Sequence, residues 1–187
     1  GMGFVAILPN MGEEQAYDGF YKQLCGNRAF VADLLREFVG RDFISELDFS
    51  DMREYPNNFI TNDFREFRSD AIWRIKWKER NVYACFLMEF QSTVDYYMPL
   101  RVLVYSSLLW RDLVKKDPTV REHGLPPIFP IVLYCGDRKW SAPTTTEGLL
   151  SGPAKELLEF LPKQKFFLID EARLPKSALE NGGSITA

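Results

Sequence analysis

Hydrophobic and polar positions along this chain switch between a helical period and a two-residue period. Residues 68–92, RSDAIWRIKWKERNVYACFLMEFQS, hold two runs of aromatic and branched residues around a short polar stretch, and read as a β-hairpin. Upstream, residues 17–39 read as helix, interrupted near Gly26, with Asn27 able to cap the second part. Phe30, Val31, Leu34, Leu35 and Phe38 form one stripe at helical spacing, and Gly40 suits the stop. Residues 43–48 read as a short helix and YPNNFITNDF, 55–64, as irregular. Beyond the hairpin a helix is predicted from about Pro99 to Lys116. Its apolar face is read as Leu100, Leu103, Val104, Ser107, Leu108 and Trp110, with Lys115 and Lys116 at the end of the dipole that favours cations. DPTVREHGLPP reads as loop, Ile128 to Tyr134 as a buried strand, 153–161 as a short helix, and KFFLIDE, 165–171, as a last strand. This order predicts one α/β domain over 1–187, a mixed central sheet flanked by helices, with 1–16 as an extension and 172–187 as a frayed tail.

The hairpin has two unlike faces. Ala71, Trp73, Ile75 and Trp77 with Val82, Ala84, Phe86 and Met88 make one apolar face. Ile72, Arg74 and Lys76 with Tyr83, Cys85 and Leu87 make a mixed one, and Asp70, Glu89 and Gln91 share it. If the turn is Lys78-Glu79-Arg80-Asn81, or its inner two residues, Trp77 pairs with Val82 and Asp70 faces Glu89 directly. Cross-strand Cβ atoms then lie roughly 4.5–5.5 Å apart, and two like charges at that distance weaken a sheet. A divalent cation between them removes the conflict, since Mg²⁺ takes oxygen ligands from one or two carboxylates. The same spacing also fits two acids that end their strands in solvent.

Composition narrows the chemistry. One histidine, His123, leaves no His-based zinc site, and it falls in a loop-like stretch. The three cysteines, Cys25, Cys85 and Cys135, are widely spaced and read as small buried hydrophobes of a reducing cytoplasm. No apolar run reaches the roughly 18–20 residues of a membrane helix, and no signal-peptide pattern opens the chain. A net charge of −3 argues against coating nucleic acid by bulk charge. It leaves room for a local track, for which Arg65, Arg68, Arg74, Lys76, Lys78 and Arg80 around the hairpin are the material.

The ordered blocks SDAIWRI, EFQS, YYMPLRVLVY and LPPIFPIVLYCG, followed by Trp140, resemble the Rpn recombination-promoting nuclease/putative transposase family of the PD-(D/E)XK nuclease superfamily. YDGFYKQLCGNRAFVADLLREFV is similar to that family's N-terminal helix, so the resemblance runs over about 17–141 and more weakly through KFFLIDEARL. It implies a restriction-endonuclease-like core and a Mg²⁺- or Mn²⁺-dependent DNA endonuclease acting in recombination or mobile-element biology. Asp70 falls on the motif aspartate, Glu89 on the acid of the (D/E)-x-K element, and Gln91 on its lysine position. Glutamine cannot act as a general base, so the proton would pass to water or to the substrate phosphate. The superfamily often adds a first-helix acid, for which Glu37, Asp33 and Asp18 are candidates; each also fits a solvated helix charge. Arg101, inside MPLR, is placed to hold a phosphate or to form a surface ion pair, and Tyr105 one turn on reads as packing. DNA is the expected partner, with a homo-oligomer as a further candidate and no membrane. The alternative is a catalytically degenerate nuclease fold that binds DNA or protein.

Overall fold

The structure, a computed structural model, describes residues 25–56, 71–89, 94–134, 136, 138–152 and 155–170, and for 84–89, 155 and 156 the backbone path alone. Helix α1 spans Arg28–Phe38 and begins where the Asn27 carboxamide accepts from the amides of Ala29 and Phe30. That cap satisfies two of the amides a helix start leaves open. Phe30, Val31, Ala32, Leu34 and Leu35 are its buried face, and Gly40, at φ +55°, lets the chain turn away.

A 3-10 turn over Asp42–Glu46 leads into β1, Leu47–Glu54. Sequence reading expected helix over 43–48 and no strand after it. LDFSDMRE buries only Leu47 and Met52, and its ladder to the next strand is broken between Asp48 and Arg53. An irregular edge strand has no strict alternation for the eye to find. β2, Ala71–Trp77, and β3, Arg80–Glu89, form the hairpin.

The five strands lie in the order β1-β2-β3-β4-β5, where β4 is Ile128–Tyr134 and β5 is Phe167–Asp170. β1, β2 and β3 pair antiparallel, whereas β3, β4 and β5 pair parallel. Parallel neighbours need a crossover. Helix α2, Met98–Lys116, and the single-turn helix α3, Thr119–His123, supply it between β3 and β4. The sequence reads as loop over α3, because Val120 alone of its residues is buried, too little for a periodic signal.

Both faces of the sheet are covered. α1 packs with Ala71, Trp73, Ile75, Ile131, Leu133 and Ile169 on one side, and Trp73 Nε1 donates to the Cys25 carbonyl at 2.8 Å. α2 covers the other side in two clusters. Tyr105, Leu109 and Leu113 meet Ile72 and Tyr83; Met98 and Val102 meet Val132, Tyr134, Trp140 and Phe166. The result is a mixed α/β layout with helices on both faces of a five-stranded mixed sheet, compatible with a restriction-endonuclease-like core.

The buried stripe of α2 differs from the one read in the sequence. Met98, Val102, Tyr105, Leu109 and Leu113 face the sheet; of the expected face Leu108 is buried, while Leu100 and Ser107 are exposed. Twelve of its nineteen residues are apolar and they fall all round the helix, so periodicity could not choose among overlapping stripes. No helix among the described residues is long and apolar enough to cross a membrane.

Candidate active site at the carboxyl ends of the parallel strands

The hairpin turn is two residues, Lys78 and Glu79, with Trp77 opposite Arg80. Lys78 sits in the left-handed region at φ +55°. The expected partner of Trp77 was Val82, so the register is offset by two residues. Without an Asn-Gly or Asp-Gly pair, nothing in KERN selects the turn length. An offset of two preserves the faces, and the division into apolar and mixed sides stands. It withdraws the argument that set Asp70 directly opposite Glu89. The observed ladder ends at Ala71 and Phe86; Asp70 and Gln91 lie outside the described residues, as do Asp18, Arg65 and Arg68.

Glu89 closes β3, and the parallel register puts it in one row with Tyr134 of β4 and Asp170 of β5. This row runs along the carboxyl ends of the three parallel strands, the edge where open α/β sheets usually bind ligands. Tyr134 is fully buried and meets Trp140 edge-on, centroids 5.2 Å apart. Asp170 is 5% exposed, and its Oδ2 accepts from the Trp140 amide at 3.2 Å. Asp170 is not among the candidates that the sequence offers, since KFFLIDE reads only as a buried strand. Its signal was an acid at the end of an apolar run, FFLID, matching the acid that ends FLME.

Arg101 belongs to the same end of the domain. Its helix neighbours Met98 and Val102 pack on Val132 and Tyr134. The Arg101 guanidinium donates to Asp95 Oδ2 at 3.0 Å, and the Asp95 Oδ1 accepts from the Tyr97 amide at 2.8 Å. Arg101 and Asp95 are each about a quarter exposed, so the pair is reachable from solvent. Tyr105, by contrast, is wholly buried packing.

The other sequence candidates lie apart from this edge. α1 covers the opposite face of the sheet. Its Asp33 pairs with Arg36 at 3.2 Å, half exposed, and Glu37 points to solvent. Arg74 is held by Asp51 at 3.1 Å and Lys78 by Glu46 at 2.9 Å, so two members of the suggested phosphate track are already paired. His123 ends α3, with Nδ1 3.1 Å from the Thr119 carbonyl. It lines a cavity of about 340 Å³ with Tyr83, Asp117 and Leu125, at the hairpin-turn end of the sheet. Among the described residues no group of three or more His, Cys, Asp or Glu side chains is gathered for a metal.

Comparison with known proteins gives this edge its context. The chain is 23% identical over 137 residues to the recombination-promoting nuclease RpnD of Escherichia coli O157:H7, covering 72% of this chain and 52% of that protein. It is 22% identical over 99 residues to the putative inactive recombination-promoting nuclease-like protein YjiP of Escherichia coli strain K12, covering 53% of this chain and 96% of that protein. The chain thus spans about half the length of the first of these relatives. No solved structure matches. The profile of the family described as putative transposase, YhgA-like, matches residues 15–186, and the chain belongs to that family.

Proposed function

We propose that this chain is a divalent-metal-dependent DNA endonuclease that hydrolyses phosphodiester bonds, in DNA recombination or mobile-element biology. The observation that carries the reading is the position of Glu89, at the carboxyl end of the central β3 and in register with Tyr134 and Asp170. The family match over 15–186 and the nuclease name of a relative support it. In the PD-(D/E)XK assignment Asp70 and Glu89 hold the metal. Their carboxylates are the hard oxygen donors that Mg²⁺ or Mn²⁺ takes. When bound, the ion supplies Lewis-acid stabilisation of the phosphoryl group and activates water. Gln91 orients the nucleophile by hydrogen bonding without taking its proton. Arg101, held in place by Asp95, meets a phosphate oxygen of the strand being cut.

The test is cleavage of duplex DNA with and without Mg²⁺ by the parent, Asp70→Ala and Glu89→Ala. Loss of metal-dependent cleavage in both variants is expected. Equal cleavage by all three would sink the site assignment. A second reading, a degenerate nuclease fold that binds DNA or protein, is favoured by the inactive designation of one relative and by Gln91 at the lysine position. Calorimetry with Mn²⁺ separates the two. Heat of binding that vanishes in Glu89→Ala supports the enzyme; no binding by the parent supports the degenerate module.

A further inference from the structure

Tyr96 and Tyr97 stand at the mouth of α2, 52% and 60% exposed, with Leu100 beside them at 46%. Large apolar groups left in water at one spot call for a reason. Their rings meet edge-to-face, centroids 5.3 Å apart at 87°. Each ring props the other, which limits the rotamers either can visit. The segment beneath them is also held. Asp95 accepts from the Tyr97 amide through one oxygen and from the Arg101 guanidinium through the other. One carboxylate therefore fixes the aromatic pair and the cation as a unit. Met98 and Val102, between and beside these residues, pack on Val132 and Tyr134, one strand from Glu89.

We propose that Tyr96 and Tyr97 are a stacking platform for unpaired bases of DNA, with Arg101 taking the adjoining phosphate. This rests on the nuclease-site reading and names its substrate class: DNA with unstacked bases, such as a loop, flap or single-stranded junction. Aromatic faces beside a cation are how proteins hold single-stranded nucleic acid without reading its sequence. A base inside a continuous duplex has both faces covered by its neighbours and offers nothing to an exposed ring. The tyrosine hydroxyls keep the rings compatible with water in the free protein. The guanidinium held in the same unit matches the phosphate that every nucleotide carries.

Fluorescence anisotropy in EDTA, with a stem-loop oligonucleotide and a fully paired duplex of the same composition, tests the proposal on the full chain. The parent should bind the stem-loop at least about 5-fold tighter, the lower end of what one stacked base contributes. Tyr96→Ala/Tyr97→Ala should lose that preference and keep its duplex affinity, while Tyr96→Phe/Tyr97→Phe should retain it. A 2-aminopurine in the loop should be quenched by the parent and the Phe variant and not by the Ala variant. Equal affinity of the parent for both oligonucleotides, or an unchanged preference in the Ala variant, overturns the platform. So does a parent dimer in sedimentation that the Ala variant dissolves without change in DNA binding; that result assigns the surface to a second copy. Metal-dependent cleavage is scored separately. A platform that fails while Glu89-dependent cleavage persists leaves the nuclease reading intact. A preference that holds while the parent cleaves nothing supports the platform and removes the nuclease.

Discussion

Removing one hydroxyl, in Tyr55→Phe, tests how the β1 edge is tied to α2. The Tyr55 hydroxyl donates to Asp112 Oδ2 at 2.8 Å, and the Tyr55 amide donates to the Ile72 carbonyl at 2.8 Å. Asp112 is 8% exposed, so its carboxylate depends on protein donors rather than water. Its other donor is Lys116 Nζ, 2.9 Å away and half exposed. A hydrogen bond to a charged group contributes about 1.5–3 kcal/mol, and removing it leaves a buried acceptor short of a partner. Lys116 remains and moderates the loss, which brings the expected cost to about 1–2 kcal/mol. The aromatic contact of Tyr55 with Tyr83, 5.4 Å between centroids, survives the change. For a chain of this size that cost lowers Tm by about 2–8 °C. Urea and thermal unfolding followed by circular dichroism measure it. The cycle with Asp112→Asn completes the test, because the effect of Tyr55→Phe should shrink once the carboxylate is gone. A loss below about 0.5 kcal/mol, or the same loss in the Asp112→Asn background, would refute the reasoning. DNA cleavage should not change, since the Tyr55 ring packs on Ile72 and Tyr83, and Tyr83 stands six residues before Glu89 on β3, roughly 20 Å along the strand.

Alkaline pH should weaken the fold through the same tyrosines. Burial, and then the Asp112 carboxylate, hold the Tyr55 phenol well above the usual tyrosine range, and burial raises Tyr83 as well. The folded chain keeps these protons after the unfolded chain has lost them, so stability is intact below about pH 10 and falls above it. The slope is at most about 1.4 kcal/mol per pH unit per tyrosine, and Tyr55→Phe should flatten it in a pH series of urea midpoints. Gly136→Ala should cost about 1–3 kcal/mol, because a Cβ there would overlap the phenol ring of the wholly buried Tyr134. Differential scanning calorimetry reads that loss; an unchanged Tm would show that the row of Glu89, Tyr134 and Asp170 is looser than its packing indicates.

Much of the fold is legible in the chain because its signals are local. Asn27 before an apolar stripe caps α1 whatever lies elsewhere, and FLME, IFPIVLY and FFLID read as strands because branched and aromatic runs of that length have few other uses. The acids that close β3 and β5 are visible as letters, and Glu89 stands out among them through its resemblance to the motif acid. Asp170 could not, because its meaning comes from a parallel register that pairs residues 36 positions apart in sequence with Tyr134 between β3 and the last strand.

By itself the sequence determined the two long helices, the strands β2 to β5, the hairpin and its two faces, the cap on α1, and the family. Each follows from residues within one or two turns of each other or from an ordered set of blocks. The tertiary structure alone decided the hairpin register, the buried stripe of α2, the existence of β1, and the row that aligns Glu89 with Tyr134 and Asp170. These are choices between alternatives of similar local energy. A two-residue slip keeps every side chain on its face, and a helix apolar on most sides can turn any of several stripes inward. Such ties are broken by whichever arrangement buries the most surface across the whole sheet, and that quantity belongs to the packed chain rather than to any segment of it.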